Sequence, residues 1–184
     1  MFAAFENNNF STRSNDGRAD PYGGFWIGTM GLGAEPQAGS IYRFFEGELV
    51  QLFPNITISN SICFSPDKKF GYFCDTPERQ IMRFSLDQNG WPSSDPEVFI
   101  DLQETNLNPD GAVVDLSGYL WSAQWGASRV ARYDRDGSFV SEVKFSAKQI
   151  SCPALGGKNM STLFATSASV DLEDARPNDG KTFL

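Results

Sequence analysis

Leu107-Asn108-Pro109-Asp110-Gly111-Ala112-Val113-Val114-Asp115-Leu116-Ser117-Gly118-Tyr119-Leu120-Trp121-Ser122-Ala123-Gln124-Trp125 is the stretch on which the fold turns. Residues 112–116 form one β-rich run. Leu116-Ser117-Gly118-Tyr119 has turn chemistry, and residues 119–123 form a second run. Asp110 stands just ahead of the first. The same unit recurs along the chain. Phe25-Trp26-Ile27-Gly28-Thr29 follows Asn15-Asp16-Gly17-Arg18-Ala19-Asp20, and Phe70-Gly71-Tyr72-Phe73-Cys74 follows Asn60-Ser61-Ile62-Cys63-Phe64-Ser65.

The register is specific. Arg43, Arg83 and Arg132 occupy one place in an apolar-x-Arg-aromatic strand. Asn15, Asn60, Asp110 and Cys152 each stand five residues before Asp20, Ser65, Asp115 and Gly157, at successive spacings of 45, 50 and 42. A four-stranded unit repeating every ~40–50 residues is the signature of a β-propeller blade. The expected fold is therefore all-β: one incomplete propeller domain over residues 1–184, of about three and a half four-stranded blades. The innermost strand of each blade lines a propeller's central channel. Side chains at one repeat position then form a ring, if that position is where the chain enters the inner strand. The alternative is that Asn and Asp merely close turns there, as Asn15-Asp16-Gly17 and Asn108-Pro109-Asp110-Gly111 also allow.

Composition narrows the chemistry. A net charge of −8 argues against nucleic acid and against anionic membranes as partners. There is no histidine, which removes Ser-His-Asp and Cys-His catalysis and every His-based metal site. No phosphate-binding loop or dinucleotide fingerprint is present. Carboxylates, amides, arginines and lysines remain. Cys63, Cys74 and Cys152 give no disulfide framework and read as free thiols. The start, Met1-Phe2-Ala3-Ala4-Phe5-Glu6, lacks a basic region, and no transmembrane run occurs, so the expected location is cytoplasmic.

These residues resemble the regucalcin/gluconolactonase family, also called senescence marker protein and luciferin-regenerating enzyme-like. The matching runs include Arg13-Ser14-Asn15-Asp16-Gly17-Arg18-Ala19-Asp20-Pro21, Ile58-Ser59-Asn60-Ser61-Ile62-Cys63, and Asn108-Pro109-Asp110-Gly111-Ala112-Val113-Val114-Asp115. The resemblance implies a six-bladed propeller holding one divalent cation, often calcium but also Zn²⁺, Mn²⁺ or Mg²⁺, with sugar lactone hydrolysis as its activity. The pattern places Asn60 and Asp110 on the cation, Asp110 also as catalytic base, and Arg13 and Asn15 on the substrate. A third cation ligand, a Glu in a Gly-Glu-Gly-Pro-like run, has no counterpart in this chain. A substrate-binding Glu after Gly-Thr-Met falls at Gly33, with Glu35 as the neighbouring candidate. The expected protein is a metal-dependent sugar lactone hydrolase in truncated form, lacking amino-terminal blades, its partner a small sugar lactone. Open blade faces would favour self-association. A non-catalytic calcium-binding propeller and an inactive fragment are the alternatives.

Overall fold

The computed structural model describes residues 5, 6 and 8–184. The reading of the start over residues 1–4 lies outside them. The described chain is a run of antiparallel strands in four sheets. The first holds β1 (Thr12–Ala19), β2 (Phe25–Gly31), β3 (Gly39–Phe45) and β4 (Glu48–Ile56) in chain order. The second holds β5 (Ser59–Phe64), β6 (Phe70–Asp75), β7 (Gln80–Ser85) and β8 (Glu97–Asp101). The third holds β9 (Asn108–Val114), β10 (Leu120–Trp125), β11 (Arg129–Tyr133) and β12 (Phe139–Lys144). The fourth has three strands, β13 (Gln149–Gly156), β14 (Thr162–Ala168) and the short β15 (Thr182–Phe183). The first strand of each sheet packs on the first strand of the next, β1 on β5, β5 on β9 and β9 on β13. This is the blade order of a partial propeller.

The core lies between the blades. Trp26, Ile41, Ile62, Phe73 and Phe84 fill the seam between the first two, with the Trp26 and Phe84 rings stacked 5.5 Å apart. Cys63, Tyr72, Ile81, Ile100, Leu120 and Tyr133 fill the second seam. Ala123, Val130, Ile150 and Ala165 fill the third. Both Cys63 and Cys74 are buried free thiols, and burial holds them protonated.

The repeated arginine has a repeated partner. In the first blade the Asp20 carboxylate accepts from the backbone N–H groups of Tyr22 and Gly24 (2.8 and 2.9 Å) through one oxygen. Its other oxygen accepts from the Trp26 indole (3.0 Å) and Arg43 Nε (2.7 Å). Asp115 repeats this with Ser117, Tyr119, Trp121 and Arg132. One carboxylate thus ties the end of the inner strand to the two strands beyond it. The second blade has Ser65 and Gly71 at the corresponding places. There Phe84 fills the space above Gly71, and Arg83 turns outward to Glu97 (2.6 Å).

The Asp20–Arg43 pair is completely buried, whereas Arg132 and Asp115 are partly exposed. Arg43 also lies against the rings of Phe45 and Trp91, 4.4 and 4.3 Å from their centroids, and Nη2 donates to Asn89 O (2.9 Å). Burial acts to raise the Asp20 pKa, but Arg43 and the surrounding N–H donors outweigh it and hold the carboxyl below its usual range. The stabilisation is therefore present above the ordinary carboxylate pKa and lost as pH falls through the depressed folded value. Asp20→Ala leaves a buried guanidinium unpaired and should cost about 3–5 kcal/mol in urea unfolding at neutral pH. Asp115→Ala, with its partly solvated partner, should cost less. Equal costs would contradict the burial argument.

Candidate functional site

Each inner strand carries one irregularity, and all four fall at or beside the repeated Asn/Asp position. Asn15 and Asp16 together oppose the single residue Gly28, and Ser61 and Ile62 together oppose Phe73. Asp110 and Gly111 oppose Ala123, and Ser151 is the extra residue in β13. A β-bulge bends its strand and re-aims side chains. Here the bulges turn Arg13, Asn15, Asn60 and Asp110 into one cavity of about 300 Å³, closed further by Trp125, Ser151 and Cys152.

This decides the alternative left open by the sequence. Asn15-Asp16-Gly17 lies inside β1, and β9 begins at Asn108, so neither Asp-Gly pair is a hairpin turn. Gly111 is required by close approach: a Cβ there would stand 2.7 Å from Cys152 Sγ and 2.8 Å from Ser151 O.

The polar groups interlock across three inner strands. Asn15 Nδ2 donates to Ser59 O (2.9 Å) and Asn60 Oδ1 (3.2 Å), and Arg13 Nη1 donates to Asn15 Oδ1 (3.2 Å). Asn60 Nδ2 donates to Thr76 Oγ1 (2.9 Å), whose own hydroxyl donates to Pro109 O (2.8 Å). That chain fixes the Asn60 amide with its carbonyl oxygen toward Asn15 and the cavity. Ser61, at φ 57°, donates its hydroxyl to Asp110 O (2.5 Å).

Two residues given no role by the sequence hold the bulges from below. Asp16 accepts from Gly17 N and, across the seam, Ile62 N, both at 2.8 Å. Arg18 reaches from β1 to Ile62 O (3.0 Å) and Ala112 O (2.9 Å), pinning β5 and β9 beside Asn60 and Asp110. The bulged Asn-Asp-Gly in a strand context is the signal that marks Asp16. Nothing in the sequence alone aims Arg18 into the channel.

The electrostatics set Asp110 apart. Burial, and then the nearby Asp16 charge, push its carboxyl up to about 7, with partial relief from the Gly111 N–H. Burial also raises Asp16, offset in part by Ile62 N–H, Arg18 and Gly17 N–H. Burial likewise raises the Cys152 thiol.

One sequence expectation falls elsewhere. Glu35 is exposed in the loop after β2, where its carboxylate curls back to accept Gly33 N–H (3.0 Å), and it does not line the cavity. The Glu6 carboxylate lies away from the cavity, accepting from Thr29 and Tyr42 (3.1 and 2.8 Å). Among the described residues no group of three or more His, Cys, Asp or Glu forms a metal cage. The donors at hand, the Asn60 carbonyl and the Asp110 carboxylate, are hard oxygens, and that chemistry fits a hard divalent cation.

Comparison with known proteins gives the same reading of the fold. A profile described as the SMP-30/Gluconolactonase/LRE-like region matches residues 1–169. The L-arabinolactonase of Azospirillum brasilense is 41% identical over 89% of this chain and 55% of its own length. The crystal structure of a calcium-binding protein, regucalcin, from Agrobacterium tumefaciens superposes with a TM-score of 0.96 at 45% identity, covering 100% of this chain and 64% of that one. A luciferin-regenerating enzyme structure follows at 0.88 and 29%, covering 95% and 60%. The chain spans 54% to 61% of the length of the curated relatives it matches. With the profile running through all four inner strands and the bulged cavity they share, the chain belongs to the SMP-30/gluconolactonase/LRE-like family.

Proposed function

We propose that this chain carries the substrate face and part of the cation site of a sugar lactone hydrolase dependent on a divalent ion. The observation that carries the reading is the convergence of Arg13, Asn15, Asn60 and Asp110 on one cavity, with the Asp110 carboxyl poised near neutrality. Lactonase names among relatives support it, L-arabinolactonase among them. Three free cysteines are in keeping with a cytoplasmic setting.

In this reading Asn60 Oδ1 and the Asp110 carboxylate hold the ion, Ca²⁺ or another hard divalent metal. A divalent ion so held supplies Lewis acidity to a carbonyl oxygen or a lowered pKa to a water. Arg13, exposed on the open side of the cavity and hydrogen-bonded to Asn15, directs its remaining N–H donors at the sugar hydroxyls and ring oxygen, while Asn15, whose amide hydrogens are held by Ser59 O and Asn60 Oδ1, offers its carbonyl oxygen to a sugar hydroxyl. Asp110 takes a proton from the attacking water. The water oxygen bonds to the lactone carbonyl carbon, the ring C–O bond breaks, and the proton passes to the departing ring oxygen to give the open hydroxy acid. Arg18 and Asp16 act through Ile62 and Ala112, keeping Asn60 and Asp110 at one level.

Acid release from a panel of aldonolactones, with excess Ca²⁺ or Mn²⁺, tests the reading. Asp110→Asn should lower turnover by ~10²–10⁴-fold, and Arg13→Lys should raise KM more than it lowers kcat, because an ammonium lacks the guanidinium fork. The calcium-binding title of the regucalcin structure favours one second reading, cation binding without turnover. Metal uptake with no acid release from any lactone would favour that reading over hydrolysis.

The raised Asp110 pKa has two pH consequences. The ion must displace a proton below about pH 7, so cation affinity by calorimetry should fall roughly tenfold per unit below it and level off above. In the ion-free protein the folded carboxyl binds its proton more tightly than the unfolded one, at 3.8, so its contribution to stability declines as pH rises from 3.8 to about 7. Asp110→Asn mimics the neutral form. It should nearly match the ion-free wild type near pH 4 and exceed its stability by roughly 4 kcal/mol near pH 8. Parallel pH curves for the two proteins would show that Asp110 titrates normally.

A further inference from the structure

The turns at the far ends of β5 and β9 enclose a second cavity, of about 380 Å³. Asn60 lies near the start of β5 and Ser65 just past its end, so the two cavities lie at opposite ends of that strand. The second is lined by Phe70 and Tyr72 of β6, Arg83 of β7, Asp67 from the β5–β6 turn, Leu116, and Arg135 from the β11–β12 turn. No step of the proposed reaction uses any of them.

The central observation is Tyr72. The residue as a whole is only 6% exposed, and among the described residues its hydroxyl forms no hydrogen bond and keeps contact with the cavity space. Its surroundings act on it through burial and through the charges of Cys63, Arg83 and Asp67. Burial keeps it a phenol, so it stands in the cavity as an unused donor. A phenolic donor that faces an accessible cavity without a protein partner is open to a ligand or to water.

The charges define what that ligand is. Arg83 is already neutralised by Glu97 (2.6 Å), and its guanidinium lies over Phe70 and Phe99, 5.0 and 4.9 Å from their centroids. Arg135 is different. Its Nε donates to Ser117 O (2.7 Å), which orients the group, and among the described residues it forms no salt bridge. Its remaining N–H edge is a free fork of the kind that takes a carboxylate. Asp67 uses Oδ1 within its turn, accepting from Ser65 Oγ (2.6 Å) and Lys69 N (3.1 Å), and leaves Oδ2 as an acceptor. Lys69 lies close enough to offset its charge. The cavity therefore offers one uncompensated cation, one phenolic donor, one carboxylate acceptor and an apolar surface formed by Phe70, with the exposed Leu116 at its rim.

We infer that this cavity is a binding site for a small hydroxycarboxylate. The carboxylate takes the Arg135 fork and the Tyr72 hydroxyl, a hydroxyl donates to Asp67 Oδ2, and the carbon chain lies on Phe70 and Leu116. The volume falls at the small end of ligand pockets and suits a chain of about six carbons. The class follows from the lining alone. The acid that lactone hydrolysis would release belongs to it and supplies a convenient probe, but the inference stands whether or not the chain hydrolyses anything.

The experiment is calorimetric titration of the full chain carrying Asp110→Asn, which removes the proposed cation-binding carboxylate of the first cavity. D-Gluconate is the probe, and D-sorbitol, with the same skeleton and no carboxylate, is the control. Gluconate should bind saturably and sorbitol should not. Arg135→Ala, at an exposed turn, should weaken gluconate at least about tenfold, as expected for a charge-assisted hydrogen bond. Tyr72→Phe, which preserves the ring packing, should weaken it several-fold, and Asn15→Ala should leave it unchanged. Absence of saturable gluconate binding would overturn the assignment. So would equal binding of sorbitol, indifference to Arg135→Ala, or dependence on Asn15.

Discussion

A carboxylate buried at the end of an inner strand sets the geometry of everything around it. Asp20 and Asp115 each divide their two oxygens in the same way. One oxygen gathers the N–H groups of the following turn, and the other gathers an indole and a guanidinium from the next two strands. Such a pair is costly to break and costly to bury, so its value lies in fixing position as much as in net stability. What it fixes is the level of the inner strand. Asn15 and Asp110 stand five residues before Asp20 and Asp115, so anchoring one end of each strand brings both to the same height in the channel. The second blade reaches the same register without the clamp, through the Ser65 turn and Phe84 packed over Gly71.

On that frame the inner strands tolerate a bulge each. An unbulged strand would point alternate side chains away from the channel. The bulges add a residue where the site needs one, and the backbone groups they free are taken up by Asp16, Arg18 and Ser61. The cost appears in electrostatics. Asp16 and Asp110 share a half-enclosed space, Asp16 is spent on backbone N–H groups, and Asp110 is left as the carboxylate that a proton or a cation must neutralise. A site of this kind lowers the stability of the empty protein in order to bind.

Much of this was legible in the sequence. The spacing of Arg43, Arg83 and Arg132 reports true structural equivalence, since all three lie on the third strand of their blades. The ring formed by Asn15, Asn60 and Asp110 was also visible as a repeat position. Their partners were not, because Asp20 and Asp115 look like ordinary turn residues until the indole and guanidinium are seen to converge on them. The Asp-Gly pairs mislead for a related reason. Gly beside Asp normally punctuates a chain, but Gly111 is small because β13 passes within contact distance. Trp26 lies buried between blades, as residue type suggests, while Trp125, also on the second strand of its blade, lines the cavity. Type alone does not separate them. Glu35 was placed by its neighbourhood to Gly33, and a turn of three residues is enough to carry its carboxylate elsewhere.

The central claim is that the bulged inner strands focus oxygen donors on one cation. Crystals soaked in Ca²⁺, with anomalous scattering recorded to locate the ion, test it most directly. The account predicts a peak at about 2.3–2.6 Å from both Asn60 Oδ1 and the Asp110 carboxylate, lost in crystals of Asp110→Asn. An ion bound at the Asp16 carboxylate or at surface carboxylates, with none between Asn60 and Asp110, would contradict it.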